Sequence, residues 1–213
     1  MTPSISEQVV IVTGAGRAFC AGADLSGGAD TFNASQQPDR VASDNTTRVP
    51  RDGGGRVTTR IFESRKPVIG AINGHAVGVG ITMTLPMDIR MASTGAKIGF
   101  VFAKRGIVPE AASSWFLPRL VGISQALEWT YSGKVFMAKE AHRAGLIRSL
   151  HEPKDLMPAA RELAASFADG TSAVSVATTR QMLWRMLGAD HPMEAHKVDS
   201  RMIDELSVDP QAD

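Results

Sequence analysis

The chain is poor in residues that form cross-links or metal clusters. Its 213 residues include one cysteine, Cys20, and one tyrosine, Tyr131. A single cysteine excludes an intrachain disulfide and a cysteine cluster for metal, so we expect no metal site of that kind and a reducing compartment such as the cytoplasm. The first seven residues lack the basic region and the apolar run of a secretory signal, which also predicts a cytoplasmic protein.

The chain also lacks an excess of charge of either sign. Lys and Arg number 23, and Asp and Glu number 22. This balance gives no overall attraction to nucleic acid or to an anionic membrane surface, so we expect neither partner. One long apolar stretch, residues 68–87, is interrupted by Asn73 and His75. Polar side chains near the middle of a membrane span are costly, and we therefore expect no span there.

Hydrophobic periodicity divides the chain into two parts. Short β-branched or apolar runs predict strands at 9–12, 68–72, 88–92 and 97–102, with a helix at 79–85 and another ending near residue 64. Residues 27–55 are rich in Gly, Asp, Asn, Ser and Thr, which predicts a long loop. After residue 110 the spacing becomes helical, at 124–131, 138–144, 156–168, 174–187 and 192–206. We expect an α/β core, residues 1–135, and a helical region, residues 136–213.

The first Gly-rich motif is typical of two kinds of site. Thr13-Gly14-Ala15-Gly16 follows a predicted strand and could hold the pyrophosphate of a nicotinamide dinucleotide. Short-chain dehydrogenases, however, pair a catalytic Tyr with a Lys four residues later, and here Tyr131 is followed by Val135 at that place. The sequence therefore argues against a dehydrogenase.

Three segments together resemble a known family. Residues 16–25 (GRAFCAGADL) are similar to the first signature of the crotonase, or enoyl-CoA hydratase/isomerase, family. Residues 66–80 (KPVIGAINGHAVGVG) are similar to its second signature and residues 106–114 (GIVPEAASS) to its third. Each segment alone is weak evidence for the family, but the order and spacing of the three together are specific. The resemblance extends from about Val9 to about Leu206.

The resemblance implies a fold, a substrate and an assembly. The implied fold is a crotonase-like ββα spiral core with a C-terminal helical region. The implied substrate is a coenzyme A thioester, with neither metal nor nicotinamide cofactor. Relatives assemble as trimers or dimers of trimers, so we expect a homo-trimer or hexamer.

The first two signatures imply an oxyanion hole. When a proton leaves the carbon next to a thioester, charge builds on the carbonyl oxygen, and two preplaced backbone N–H groups stabilise it. The family position of these donors is matched by Ala23 and Val79. Asp24 has two alternative roles, contact with substrate or capping of the helix that follows. The residues expected to bind substrate are Ala21, Asp24, Leu25, Gly78 and Pro109.

The carboxylates predict the reaction. Hydratases of the family use two glutamates, and their positions are occupied here by Thr82 and Phe102, neither of which can act as a base. Glu110 stands where the resemblance implies the acid/base of single-carboxylate Δ3,Δ2-enoyl-CoA isomerases. We therefore expect an isomerase that uses Glu110, with hydration as the alternative reaction. The alternative is that Glu110 has only a structural role, as an exposed residue in the first turn of a helix whose dipole stabilises its charge.

The chain looks shorter than full-length members of the family. They carry a strand pair and a helix before the strand at Val9, and often a helical segment after Leu206. We expect both to be missing, which would leave a sheet edge exposed at Val9 to Val12. A hypothesis of another class follows: a truncated, catalytically idle subunit that keeps only the oligomer surfaces.

Overall fold

The computed structural model describes residues 8–24, 26, 28, 31 and 51–207, and in this part of the chain eight strands form two four-stranded sheets. The strands are β1 (Val10–Thr13), β2 (Ala18–Cys20), β3 (Val68–Ile72), β4 (His75–Val77), β5 (Ile89–Ser93), β6 (Lys97–Gly99), β7 (Val135–Met137) and β8 (Ser149–His151). The helices are α1 (Gly53–Phe62), α2 (Val79–Thr82), α3 (Ser113–Val121), α4 (Ile123–Ser132), α5 (Ala138–Arg143), α6 (Leu156–Ala168), α7 (Ala173–Met186) and α8 (Pro192–Ser207), with a 3₁₀ turn at Ala103–Arg105.

Strands β1 to β6 alternate between the two sheets, whereas β7 pairs with β6 in the second sheet and β8 returns to the first. The first sheet has the order β1-β3-β5-β8 and the second the order β2-β4-β6-β7. All pairs are parallel except β6 with β7. The unit of strand, strand and helix repeats, since α1 follows β2 and α2 follows β4. The α/β spiral predicted above is confirmed by this arrangement.

The first sheet is covered by α6. Leu156, Ala160 and Ala164 recur every four residues and so lie on one face of α6, where they pack with Ile69 of β3 and Met91 of β5. All five residues of β3 are buried. A parallel strand covered on both faces reads as an uninterrupted apolar run, which is why the sequence identifies β3 so clearly. Each buried Ile or Met side chain stabilises the fold by roughly 1.5–3 kcal/mol.

An ion pair links the helical region to the sheets. Arg180 of α7 donates to Asp88 Oδ2 at 2.8 Å, and the same oxygen accepts from Val68 N at 2.7 Å. Asp88 Oδ1 accepts from Trp184 Nε1 at 2.6 Å, and Arg180 also donates to the carbonyl of Phe62 at the end of α1 at 2.9 Å. The buried Arg180 and the half-buried Asp88 therefore join α1, β3 and α7.

The structure differs from the sequence predictions mainly in short elements. The prediction of β3 is confirmed to the residue, and the five expected C-terminal helices are present with shifts of a residue or two. Strands β2, β4, β7 and β8 were not predicted, because three residues are too few to show a period of two. Helix α3 was not predicted either, and it contains Pro118.

Three predictions about the chain's organisation meet different outcomes. The loop predicted for 27–55 is wrong at its end, since α1 begins at Gly53, and its residues 32–50 lie outside the described part. In the described part β1 lies at the edge of its sheet and Val10 is 38% exposed, while the expected lack of preceding elements stays a prediction. The division at residue 135 stays a prediction; β7 spans this position.

Candidate active site

A cavity of about 360 Å³ opens where β2 and β4 end. These two strands are parallel neighbours, so their carboxyl ends meet at one edge of the second sheet. The segments that follow them, Ala21 to Ala23 and Gly78 to Val79, line the cavity together with Glu110. The structure thus brings both expected oxyanion donors and the expected acid/base to the wall of one cavity.

Glycines allow the two donor segments to approach each other. Gly22 has φ +103° and Gly78 has φ +57°, conformations that other residues rarely adopt. A Cβ on Gly22 would lie 3.0 Å from the carbonyl oxygen of Val77, and a Cβ on Gly80 would overlap the carbonyl oxygen of Cys20. The close contact between the start of α2 and the end of β2 therefore requires hydrogen in place of a side chain.

The expected oxyanion donors are the N–H groups of Ala23 and Val79, two residues that line the cavity. Val79 is the first residue of α2, and the first N–H groups of a helix have no intrahelical acceptor. Within the described residues, neither N–H donates to a protein oxygen. Two such groups on one cavity wall can donate hydrogen bonds to a developing oxyanion.

Glu110 lies at an irregular turn just before α3. The two residues that follow it, Ala111 and Ala112, have φ of 58° and 54°, which is unusual for residues with a Cβ and costs about 1–2 kcal/mol each. The carbonyl of Glu110 accepts from the N–H of Ser113 at 3.0 Å, which joins the turn to α3. Glu110 is therefore not a residue of an exposed first helical turn, and its half-buried side chain lines the cavity.

A buried threonine binds the carboxylate of Glu110. Thr82, on α2, is fully buried and donates its hydroxyl hydrogen to Glu110 Oε1 at 2.5 Å. Phe102, at the other position where hydratases carry a glutamate, is buried and lines the cavity. Thr82 thus supplies a hydrogen-bond donor to the carboxylate of Glu110, and Phe102 supplies an apolar wall of the cavity.

Sequence reasoning missed the contribution of α1. Asp52, Gly53 and Gly54 line the cavity, and Asp52 is the N-cap of α1, accepting from Gly55 N at 2.6 Å. A Cβ on Gly54 would overlap Glu110 Oε2, so the carboxylate lies directly against the first turn of this helix. An Asp followed by glycines is a pattern typical of a helix start and could have indicated this segment.

The remaining residues expected to bind substrate lie in different places. Asp24 is exposed, is not part of the cavity lining, and accepts from Ser26 N at 2.9 Å; this hydrogen bond lowers the pKa of the Asp24 carboxyl. Pro109 lines a neighbouring groove instead. Leu25 lies outside the described residues. The exposed cation Arg105 lines the cavity and was not anticipated.

The described residues contain neither a cluster of metal ligands nor a helix that could span a membrane. Among residues 8–24, 26, 28, 31 and 51–207, no three or more His, Cys, Asp or Glu side chains are grouped closely enough to hold a metal ion. The helices within those same ranges are all too short or too polar to cross a bilayer.

Comparison with known proteins identifies the family. The profile described as enoyl-CoA hydratase/isomerase matches residues 4–209. The enoyl-CoA hydratase ACTT3 of Alternaria alternata is 41% identical over 196 residues, which is 92% of this chain and 62% of that protein. The 1,2-epoxyphenylacetyl-CoA isomerase of Escherichia coli (strain K12) is 35% identical over 161 residues, 76% of this chain and 59% of that one. The chain therefore spans about three fifths of the length of these relatives.

Solved structures agree with this result. A probable enoyl-CoA hydratase/isomerase from Mycobacterium abscessus superposes with a TM-score of 0.83 at 31% identity, covering 96% of this chain and 75% of that chain. A monofunctional enoyl-CoA isomerase from M. smegmatis gives 0.66 at 30% identity, covering 89% and 76%. On the strength of the profile, the relatives and the fold, the chain belongs to the enoyl-CoA hydratase/isomerase, or crotonase, family of enzymes.

Proposed function

We propose that the protein is an acyl-CoA isomerase that converts a 3-enoyl-CoA into a 2-enoyl-CoA, with Glu110 as the single proton shuttle. One observation carries this proposal: Ala23, Val79 and Glu110 all line the same cavity. Such a constellation supplies the two functions that the reaction needs, an oxyanion hole and a base.

The proposed reaction needs no other reactant. Glu110 removes a proton from C2 of the thioester, and the electron pair of the broken C–H bond moves into the carbonyl to form an enolate. Hydrogen bonds from the Ala23 and Val79 N–H groups stabilise the enolate oxygen. The same carboxyl returns the proton to C4 while the double bond moves to C2–C3. Atoms and electrons balance without water, metal or nicotinamide, so we propose that the protein uses no cofactor.

Hydration is the second candidate. It is favoured by three relatives from Alternaria alternata of 38–41% identity, which are named enoyl-CoA hydratases. The positions of Thr82 and Phe102 weigh against it, since a hydroxyl and a phenyl ring cannot hold and activate water as two glutamates do. Asp52 is a second carboxylate on the cavity wall, but its Oδ1 already accepts two backbone hydrogen bonds.

The experiment that separates these candidates offers purified protein a 3-enoyl-CoA and, separately, a 2-enoyl-CoA. We expect the first to isomerise and the second not to be hydrated. Glu110→Gln keeps the shape and the hydrogen bond from Thr82 but cannot take a proton, so turnover should fall by about 10²–10⁴. Glu162→Gln, an exposed residue of α6, is the matched control and should leave turnover unchanged.

The other outcomes have definite meanings. Hydration of the 2-enoyl-CoA by the wild type would replace isomerisation as the function. Equal turnover by the wild type and Glu110→Gln would exclude Glu110 as the base. Failure of the wild type to bind any CoA thioester would favour the idle-subunit hypothesis.

We further propose that the protein assembles as a homo-trimer or as a hexamer of two trimers and acts in the cytoplasm. The family resemblance and the single cysteine support these proposals. Light scattering coupled to size-exclusion chromatography measures the mass of the assembly directly, and a monomeric mass would contradict the proposal.

A further inference from the structure

We propose that Asp52 is a positioning residue of the active site, one that holds Glu110 in place through the main chain of Ala111. This inference rests on the proposed role of Glu110 as the base. It concerns a residue from a different segment of the chain, at the N-terminus of α1, which none of the three family signatures contains.

The first observation is a hydrogen bond that joins two distant segments. Asp52 Oδ1 accepts from Gly55 N at 2.6 Å, which caps α1. The same oxygen accepts from Ala111 N at 3.2 Å, across 59 positions of sequence. A helix cap needs only the first of these bonds. The second connects the start of α1 to the residue directly after the base.

The second observation is the conformation of that residue. Ala111 has φ 58° and is followed by Ala112 with φ 54°, both in the left-handed region. Non-glycine residues keep such a conformation only where surrounding contacts impose it. Three contacts do so here: the bond from Ala111 N to Asp52, the burial of the Ala111 side chain, and the hydroxyl of Ser113, which donates to the carbonyl of Glu110 at 2.5 Å.

The third observation is the packing of the carboxylate itself. Glu110 Oε2 lies so close to Gly54 that a Cβ there would overlap it, and the same Cβ would lie 3.2 Å from Asp52 Oδ1. The first turn of α1 is therefore in contact with the side chain of Glu110 and bonded to the main chain beyond it. A shift of this turn would move the base relative to the oxyanion donors.

Asp52 acts through its hydrogen bonds and not through its charge, and substitution separates these two effects. Asp52→Asn keeps a carbonyl oxygen that can accept from both Gly55 N and Ala111 N, and Asn is as good an N-cap as Asp. Asp52→Ala removes both bonds. Ser172→Ala is the matched control, because Ser172 caps α7 through Ser175 N at 3.3 Å and lies away from the cavity.

The kinetic test uses the full chain and a 3-enoyl-CoA, with each rate divided by the fraction of protein that binds the thioester. We expect Asp52→Ala to lose about 10²-fold in kcat with KM nearly unchanged, since a misplaced catalytic group costs about that much. Asp52→Asn should stay within about threefold of the wild type, and Ser172→Ala should match it. An Asn variant as slow as the Ala variant, or an Ala variant as fast as the wild type, would overturn the proposal.

A second measurement does not depend on catalysis. Amide hydrogen exchange at Ala111 should be slow in the wild type and in Asp52→Asn, and at least about tenfold faster in Asp52→Ala, because only that variant leaves the amide without its acceptor. Unchanged exchange in Asp52→Ala would contradict the proposal that the hydrogen bond from Ala111 N to Asp52 holds this segment in place. If the exchange behaves as expected while the wild type does not isomerise a 3-enoyl-CoA, the proposed function fails and the anchoring of Glu110 by Asp52 stands.

Discussion

The hydroxyl of Thr82 donates a hydrogen bond of 2.5 Å to Glu110 Oε1, although the two residues are 28 positions apart. Thr82 is the last residue of α2, and Val79, a proposed oxyanion donor, is the first residue of the same helix. The same short helix therefore carries a proposed oxyanion donor and the hydroxyl that orients the proposed base. Thr82 cannot itself act as the base, but its hydrogen bond orients the carboxylate of Glu110, the proposed base.

Substitution of Thr82 by Val tests this relationship. Val has nearly the same shape but no hydroxyl, and hydrogen bonds to charged groups contribute about 1.5–3 kcal/mol. We expect kcat for a 3-enoyl-CoA to fall by roughly 10- to 100-fold with KM little changed, measured by steady-state kinetics. Thr82→Ser keeps the hydroxyl and should recover most of the rate.

The matched control is Thr84→Val. Thr84 is also fully buried, but its hydroxyl donates to the carbonyl of Ile81 at 2.8 Å and not to Glu110. Both Val variants should lose some stability, and only the one at Thr82 should lose rate. Equal loss of kcat in the two variants would mean that Thr82 acts through the fold alone.

Proline at Val79 tests the oxyanion donor. Pro is favoured at the first position of a helix and lacks the N–H, so Val79→Pro removes the proposed donor while keeping the helix start. We expect a loss of about 10²–10³ in kcat. Val79→Ala keeps the N–H and should stay within a few-fold of the wild type. If both variants react at the same rate, the N–H of Val79 does not stabilise the enolate; thermal unfolding checks that both are folded.

Loss of the Arg180–Asp88 ion pair should affect stability and not the site directly. The side chain of Arg180 is 4% exposed, and its removal breaks the ion pair with the carboxylate of Asp88. We expect Arg180→Met to lower the free energy of unfolding by about 3–5 kcal/mol, measured by urea denaturation.

An exposed ion pair is the matched control for Arg180. Arg201 and Glu205 lie 3.6 Å apart on α8, with side chains 67% and 58% exposed. Arg201→Met should cost less than about 1 kcal/mol, because solvent screens exposed pairs. Similar losses in the two variants would show that burial of the Asp88 pair contributes nothing.

Prediction from sequence succeeded where the signal is local. The uninterrupted apolar run at β3 and the apolar stripe that recurs every four residues along α6 are each long enough to identify their elements. The motif residues Ala23, Val79 and Glu110 were found through resemblance, and the structure places all three at one cavity. The three-residue strands β2 and β4, which bring the donors together, were not found, because pairing between strands and not local propensity stabilises elements so short.

The sequence by itself determined the family, through the residues of the three signatures, and it identified Glu110 as the proposed base. Only the tertiary structure decided that Asp52 and Thr82 contact the segment of that base. Their hydrogen bonds to Ala111 and Glu110 cross 59 and 28 positions of sequence. No periodicity encodes such a contact, because it depends on how parallel strands and the helices between them stack in space.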